Sequence, residues 1–216
     1  MELPSNTVLA GATMSGKTYR SKEILRDLIK RKEIDYLIIM SPTLEISGDW
    51  DEFPVQQNPA KGMVVRKFTK NFVSQLQTLC EKQETIAKAR EPMGKIMVVV
   101  DDCVHLPILK PKGYLATLST KSRHLNISLM VLVQKITAVP RTFRLNCRYW
   151  YLFNAVNFSE LERFNQELVP KKYQKVVATN LETIFNEKYT YILLDSFNPL
   201  LKERVRVNGD TRLLDL

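Results

Sequence analysis

The sequence lacks any long, uninterrupted apolar run, and this shortage excludes a class of proteins. No run approaches the ~18 residues that a helix needs to span a bilayer, so no transmembrane segment is expected. The first residues, Met-Glu-Leu-Pro, contain neither a basic region nor an apolar region of the kind that opens a signal peptide. Nothing in the sequence therefore indicates secretion.

Cysteine and histidine are also scarce. The three cysteines (Cys80, Cys103 and Cys147) are widely spaced, odd in number and form no C-x-x-C pair. The two histidines, His105 and His124, do not have the spacing of metal ligands. These patterns exclude a disulfide framework and a structural zinc site, and they fit buried thiols in a reducing compartment.

Length and charge set broader limits. A chain of 216 residues that is 44% apolar is expected to form one domain, 1–216, with a substantial core. Its formal net charge of +9 is typical of proteins that bind polyanions, of which nucleic acid is the most common. Charge alone equally fits a solvated basic surface without a partner.

The strongest motif lies near the start of the chain. It matches G-x-x-x-x-G-K-[ST], the phosphate-binding P-loop. Its residues are Gly11, Ala12, Thr13, Met14, Ser15, Gly16, Lys17 and Thr18. An apolar run precedes the motif and an amphipathic helix follows it, so its backbone N–H groups are expected to surround a phosphate at a helix N-terminus. In such a loop, Lys17 reaches the β- and γ-phosphates of ATP, and the Thr18 hydroxyl holds Mg²⁺.

Apolar strands and helices then alternate along the chain. This alternation predicts an α/β fold with a mainly parallel sheet covered by helices on both faces. The expected core, about 5–155, contains strands at 34–40, 62–67, 95–100, 127–133 and 148–153 after the strand that precedes the P-loop. The segment 43–62 is polar and is interrupted by Gly48, Pro54 and Pro59, which predicts a loop or an insertion. Strands at 189–195 and 204–207 are expected to add an edge hairpin within the extension 156–216.

Two polar groups follow predicted parallel strands. Asp101 and Asp102 directly follow Ile96–Val100, where a P-loop protein carries its Walker B acid. Asp101 is expected to hold the Mg²⁺ shell and Asp102 to orient the attacking water. Gln134 follows the next strand, so it faces the γ-phosphate if that strand lies between the P-loop strand and the Asp101 strand. In the alternative interpretation, Asp101 and Asp102 are acids that merely end a strand, and Gln134 is an ordinary loop glutamine.

These residues, with Ser122-Arg123-His124, Val139-Pro140 and Arg144-Leu145-Asn146, resemble the FtsK–HerA superfamily of DNA-pumping ATPases. Asp101-Asp102 and the Arg-His pair most resemble the poxvirus-type genome-packaging ATPases. One departure is Asp102, because cellular relatives usually carry a glutamate there, which is one methylene longer.

The resemblance implies an ASCE-type P-loop ATPase, in which an added strand separates the P-loop and Walker B strands. Its expected work is to move double-stranded DNA into a viral capsid, as a homo-oligomeric ring that contacts a capsid or portal component. The expected location is the virion or the assembly site in the host cytoplasm. Arg123 is the preferred arginine finger, and Arg141 and Arg144 are the alternatives.

A proline- and glycine-containing loop carries Lys110 and Lys112, which are placed to touch DNA phosphates if this loop lines a ring pore. A solvated loop is the alternative. Two other functions remain open at this point: a nucleoside or nucleotide kinase, and a nucleotide-binding DNA assembly protein without turnover. The strand that ends at Met40-Ser41-Pro42 offers no acid to act as a kinase base.

Overall fold

The computed structural model describes residues 1–154, 158–171, 174–175, 177–179, 185, 188–198 and 205–208. Its centre is an eight-stranded sheet with the order β3-β2-β4-β5-β1-β6-β7-β8. The strands are β1 Asn6–Ala10, β2 Tyr36–Met40, β3 Val64–Phe68, β4 Ile96–Val100, β5 Ile127–Val133, β6 Tyr149–Phe153, β7 Tyr191–Asp195 and β8 Val205–Val207. The first six strands in this order, β3-β2-β4-β5-β1-β6, are parallel, as the buried apolar runs predicted.

The strand order confirms the ASCE arrangement. β5 pairs with β1 on one side and with β4 on the other, so it separates the P-loop strand from the strand that ends at Asp101. In register, Ala10 lies opposite Val133, and Val100 lies opposite Val131. The carboxyl ends of these three strands therefore meet at one edge of the sheet.

Both faces of the sheet are covered by helices. They are α1 Lys17–Lys30, α2 Leu44–Ser47, α3 Phe72–Lys88, α4 Tyr114–Lys121, α5 Arg141–Leu145 and α6 Phe158–Leu168. Alternate strand residues feed two apolar layers, as the period-2 geometry of strands requires. One layer joins Val8, Val98 and Val131 to side chains of α3, α4 and α6, and the other joins Leu9 and Val99 to α1 and α2.

The predicted edge hairpin is also present. β7 pairs antiparallel with β6, and β8 pairs antiparallel with β7. Arg204, predicted as the first residue of the last strand, lies outside the described residues. All three cysteines are buried free thiols, in agreement with the expectation from their spacing. Among the described residues, no helix combines the length and the apolar character needed to cross a membrane.

The segment 43–62 differs from the simple polar loop that its composition predicted. It contains the short helix α2 and a 3₁₀ turn at Pro59–Lys61, and it buries Trp50 and Phe53. These two aromatic rings pack into the same apolar layer as α1. The polar composition of the segment did not indicate this anchor, because one or two aromatic side chains are enough to fix a loop to a core.

Candidate active site

A cleft of about 500 Å³ opens at the carboxyl ends of β1, β4 and β5. Ligands of open α/β sheets bind at this edge, beyond the ends of the parallel strands. The predicted residues that line the cleft are Thr13, Met14, Gly16, Lys17, Thr18, Asp101, Asp102 and Gln134. Three motifs that are far apart in the sequence thus face one another across a single cavity.

The loop from Gly11 to Gly16 connects β1 to α1 and is held by its neighbours. Gly11 N donates to Val133 O at 3.1 Å, and Ala12 N donates to Asn154 O at 3.0 Å, so both N–H groups fasten the loop to adjacent strands. Gly16 caps α1 with φ 102°, a left-handed conformation that favours glycine. The loop conformation therefore depends on the glycine that the motif requires.

Three of the predicted phosphate-binding residues do not line the cleft, and one of them, Gly11, is needed for the packing of the loop itself. A Cβ built on Gly11 would lie 2.6 Å from Cβ of Phe153, so glycine is needed there for close packing. Gly11, Ala12 and Ser15 are not among the residues that line the cleft. The side chains nearest to a bound phosphate are expected to be those of Lys17 and Thr18.

Lys17 is directed into the loop. Its Nζ donates to Gly11 O at 2.8 Å and to Ala12 O at 2.6 Å. Burial lowers the pKa of Lys17, and the nearby charges of Asp101 and Asp102 partly offset that effect. The ammonium group thus lies within electrostatic reach of both acids.

Asp101 and Asp102 occupy different environments although they are adjacent. Asp101 is half-buried, and burial raises its pKa to about 6, while the hydrogen bond from Trp50 acts in the opposite direction. The charges of Asp102 and Asp49 add to the increase. Asp102 is exposed and has φ 53°, a left-handed conformation that aspartate tolerates better than most residues. A half-buried carboxylate suits the role of metal ligand expected for Asp101, and an exposed carboxylate suits the role of base expected for Asp102.

Gln134 follows β5 directly, and hydrogen bonds to α6 hold the turn that follows it. The carboxylate of Glu160, on α6, accepts hydrogen bonds from Ile136 N at 2.7 Å and from Thr137 Oγ1 at 3.0 Å. The sequence did not single out Glu160, because an acid in a helix gives no signal of a contact made 24 residues earlier in the chain. This contact holds the turn that carries Gln134.

The motifs do not include several residues that line the cleft, among them two polar side chains and one aromatic ring. Thr43 and Asp49 come from the segment 43–62, and Tyr189 comes from the residues just before β7. The Tyr189 ring lies beside the P-loop, since a Cβ on Gly16 would be 3.2 Å from its Cδ1. Its side chain is exposed.

The donor set of the cleft fits Mg²⁺ bound together with a nucleotide. Among the described residues, no group of three or more His, Cys, Asp or Glu side chains is arranged to hold a metal. Mg²⁺ commonly takes only one or two protein ligands and completes its shell with phosphate oxygens and water. The Asp101 carboxylate and the Thr18 hydroxyl, both in the cleft, match that requirement.

The candidate arginine fingers have different surroundings. Arg123 precedes β5, so it lies at the sheet edge opposite to the cleft, where its guanidinium is 5.5 Å from the Phe197 ring. Arg144 is bound within its own chain, to Glu167 at 3.0 Å and to Val139 O at 2.7 Å. Arg141 is exposed at the start of α5. The contacts of Arg144 disfavour it as a finger and leave Arg123 and Arg141.

Lys110 and Lys112 are exposed, as a DNA-contacting loop requires. They follow a 3₁₀ turn at Pro107–Leu109, and a short loop links them to α4. Neither Trp50 nor Trp150 is available for base stacking, because the two side chains are 1% and 0% exposed.

A P-loop after β1, an acidic pair after β4 and a glutamine on the strand between them define a P-loop NTPase of the ASCE type. Within that class, the chain belongs to the family described as Poxvirus A32 protein, whose model matches residues 1–211. No curated protein matches the sequence.

Solved structures with a similar fold include viral packaging enzymes. The genome packaging NTPase B204 from Sulfolobus turreted icosahedral virus 2, solved with ATP-gammaS, has a TM-score of 0.69 at 15% identity, covering 98% of this chain and 100% of B204. ATPases 2 and 3 of EssC from Geobacillus thermodenitrificans give a TM-score of 0.53 at 14% identity, covering 74% of this chain and 33% of that one. At such identities the likeness establishes the fold alone.

Proposed function

We propose that this chain is an ATP-hydrolysing motor that translocates double-stranded DNA during viral genome packaging. The observation that carries the proposal is the single cleft lined by Lys17, Asp101, Asp102 and Gln134 in a member of the Poxvirus A32 family. B204, the structural neighbour described above, is named as a genome packaging NTPase and was solved with ATP-gammaS.

Each side chain has a distinct part in the proposed hydrolysis. Lys17 stabilises charge on the β- and γ-phosphates. Asp102 accepts a proton from the attacking water, and Gln134 hydrogen-bonds that water and the γ-phosphate. Asp101 and Thr18 would hold Mg²⁺, and the bound ion would neutralise charge on the phosphate oxygens. The phosphoryl group passes to water, which leaves ADP and inorganic phosphate.

Action as a homo-oligomeric ring is part of the same proposal. Arg123 lies at the opposite sheet edge from the cleft of its own chain, so it is better placed to serve a neighbouring subunit. Exposed Lys110 and Lys112 are proposed to contact DNA phosphates, which gives the sequence-independent binding that packaging requires. A capsid or portal component is the proposed anchor, in the virion or at the cytoplasmic assembly site.

Steady-state ATP hydrolysis, measured with and without duplex DNA and alongside native mass, tests the proposal. We expect Mg²⁺-dependent hydrolysis that duplex DNA stimulates and that Lys17→Ala abolishes. Phosphate transfer to a nucleoside, with no response to DNA, would instead identify a kinase. Nucleotide binding without turnover under any condition would identify an assembly protein.

A further inference from the structure

Trp50 reaches the candidate active site from the segment 43–62, most of which is exposed to solvent. Its side chain is 1% exposed, whereas the residues on either side, Asp49 and Asp51, are exposed. The ring packs beside Phe53, which is also buried, with a centroid distance of 6.3 Å. A polar surface segment thus delivers two aromatic side chains to the interior.

The indole ends at the Walker B acid. Nε1 of Trp50 donates to Oδ2 of Asp101 at 3.0 Å. An indole N–H is only a donor; it does not titrate and does not bind metal ions. It therefore fixes one carboxylate oxygen and its rotamer, and it leaves the other oxygen of Asp101 available for the Mg²⁺ shell.

The position of Trp50 is itself fixed from two sides. On one side, Nζ of Lys67 in β3 donates to the main-chain oxygen of Trp50 at 2.6 Å. On the other side, Glu52 forms ion pairs with Lys22 at 3.4 Å and with Arg26 at 2.8 Å, both on the helix that follows the P-loop. The donor to Asp101 is thus held by the same helix that carries Lys17 and Thr18.

We propose that Trp50 is a positioning residue that orients the Asp101 carboxylate for Mg²⁺ bound with a nucleotide. This inference rests on the proposed function only in assuming that Asp101 serves a Mg–nucleotide complex. Trp50 acts through Asp101 and touches no reacting atom. Partners of this kind around metal ligands commonly change metal affinity or activity 10–100-fold when they are removed.

The sequence contains two tryptophans, and the second provides a matched control. Trp150 is also fully buried, but its Nε1 has no hydrogen-bond partner within the described part of the chain, and its ring packs against Phe164. Trp50→Phe and Trp150→Phe therefore make the same change in a buried ring, and only the first removes a donor from Asp101.

The first measurement is calorimetric binding of AMPPCP at a series of Mg²⁺ concentrations. The association constant of AMPPCP should rise with Mg²⁺ concentration to a plateau. We expect the Mg²⁺ concentration that gives half of this rise to increase about tenfold in Trp50→Phe. Trp150→Phe is expected to keep the value of the unaltered protein. Affinity measured in EDTA should be the same in all three proteins, because without the metal the carboxylate has no ion to orient.

The second measurement leaves Trp50 in place, so it does not depend on the stability of a Trp50 variant. In the Trp150→Phe protein the only indole is Trp50, and its emission reports the environment of the Asp101 carboxylate. Addition of Mg²⁺ to the AMPPCP complex should shift or quench this emission, and Mg²⁺ should leave the emission of Trp150 in Trp50→Phe unchanged.

An unchanged Mg²⁺ requirement in Trp50→Phe, or a Trp50 emission indifferent to Mg²⁺, would overturn the inference. Neither measurement needs turnover or DNA. If the unaltered protein fails to hydrolyse ATP, the proposed function fails, and the Mg²⁺ dependence of AMPPCP binding still decides the role of Trp50.

Discussion

At the scale of single residues, the roles proposed for Asp101 and Asp102 differ because the two side chains differ in exposure. The half-buried Asp101 is restrained by Trp50, whereas the exposed Asp102 has a left-handed backbone and faces the cleft. A carboxylate that moves a proton to or from water benefits from access to water. The one that holds a metal benefits from a fixed orientation.

Asp102→Asn should stop hydrolysis and leave nucleotide binding largely intact. Asparagine tolerates the left-handed conformation at φ 53°, so the backbone should not change, while the side chain can no longer accept a proton. We expect kcat to fall roughly 10²–10⁴-fold, the usual contribution of a general base. Steady-state kinetics and calorimetric AMPPCP binding check this, and near-normal turnover would remove Asp102 from the mechanism.

Tyr189 is expected to bind the adenine base. Its exposed ring lines the cleft beside Gly16, and stacking of a base on an aromatic ring contributes about 1–3 kcal/mol. Tyr189→Ala should therefore raise the KM for ATP roughly tenfold with little change in kcat. Tyr189→Phe keeps the ring and should behave like the unaltered protein; equal KM values in all three proteins would exclude stacking.

At the scale of elements, the fold could be predicted because most of its elements carry strong local signals. The run Ile127–Val133 is apolar except for Ser128, which identifies a buried strand, and the P-loop fixes which turn joins β1 to α1. The path of 43–62 could not be predicted, since its anchor is the contact of Trp50 with Asp101, 51 residues away. Tyr189 and Glu160 were missed for the same reason: their roles depend on contacts between distant parts of the chain.

The contact between α6 and the turn after β5 leads to a prediction for Glu160. Its buried carboxylate bonds to Ile136 N and Thr137 Oγ1, so Glu160→Ala leaves these donors without their acceptor. Hydrogen bonds to charged groups contribute about 1.5–3 kcal/mol, and we expect the free energy of unfolding to fall by about that amount. Turnover should fall as well, because the turn that carries Gln134 loosens.

Denaturant unfolding and ATPase assays measure the two effects of Glu160→Ala. Glu162 is exposed on the same helix, so Glu162→Ala provides the control and should change neither quantity. A Glu160→Ala protein with normal stability would show that the hydrogen bonds of Glu160 to Ile136 and Thr137 do not stabilise the fold. Lower stability with unaltered turnover would show that these hydrogen bonds are not needed to position Gln134.

At the scale of the whole molecule, the residues proposed to act in hydrolysis lie at two opposite edges of the sheet. Lys17, Asp101, Asp102 and Gln134 lie at the carboxyl edge of the parallel strands, whereas Arg123 lies at the amino edge beside Phe197. The length of β5 therefore separates Arg123 from the cleft of its own chain. A head-to-tail ring, in which one edge meets the other edge of the next subunit, is the arrangement that brings them together.

The last prediction is that Arg123 acts on the nucleotide of a neighbouring subunit. Isolated monomers should bind ATP but hydrolyse it slowly, and turnover per subunit should rise with protein concentration as rings form. A guanidinium supplied by a neighbour typically contributes ~10³–10⁵ in rate, so the increase should be large. Hydrolysis measured over a concentration series, with native mass at each point, tests this.

Mixed rings provide the decisive experiment. Arg123→Ala and Lys17→Ala subunits should each be inactive alone, because the first lacks the finger and the second lacks the phosphate-binding ammonium. In a mixture, an intact Arg123 on a Lys17→Ala subunit meets an intact Lys17 site on an Arg123→Ala subunit, and part of the activity should return. A second mixture, in which Arg141→Ala subunits replace the Arg123→Ala subunits, tests the other exposed candidate. Full activity in dilute monomers together with no recovery in the mixture would assign Arg123 a role within its own chain, and recovery with Arg141→Ala in place of Arg123→Ala would transfer the role of the finger to Arg141.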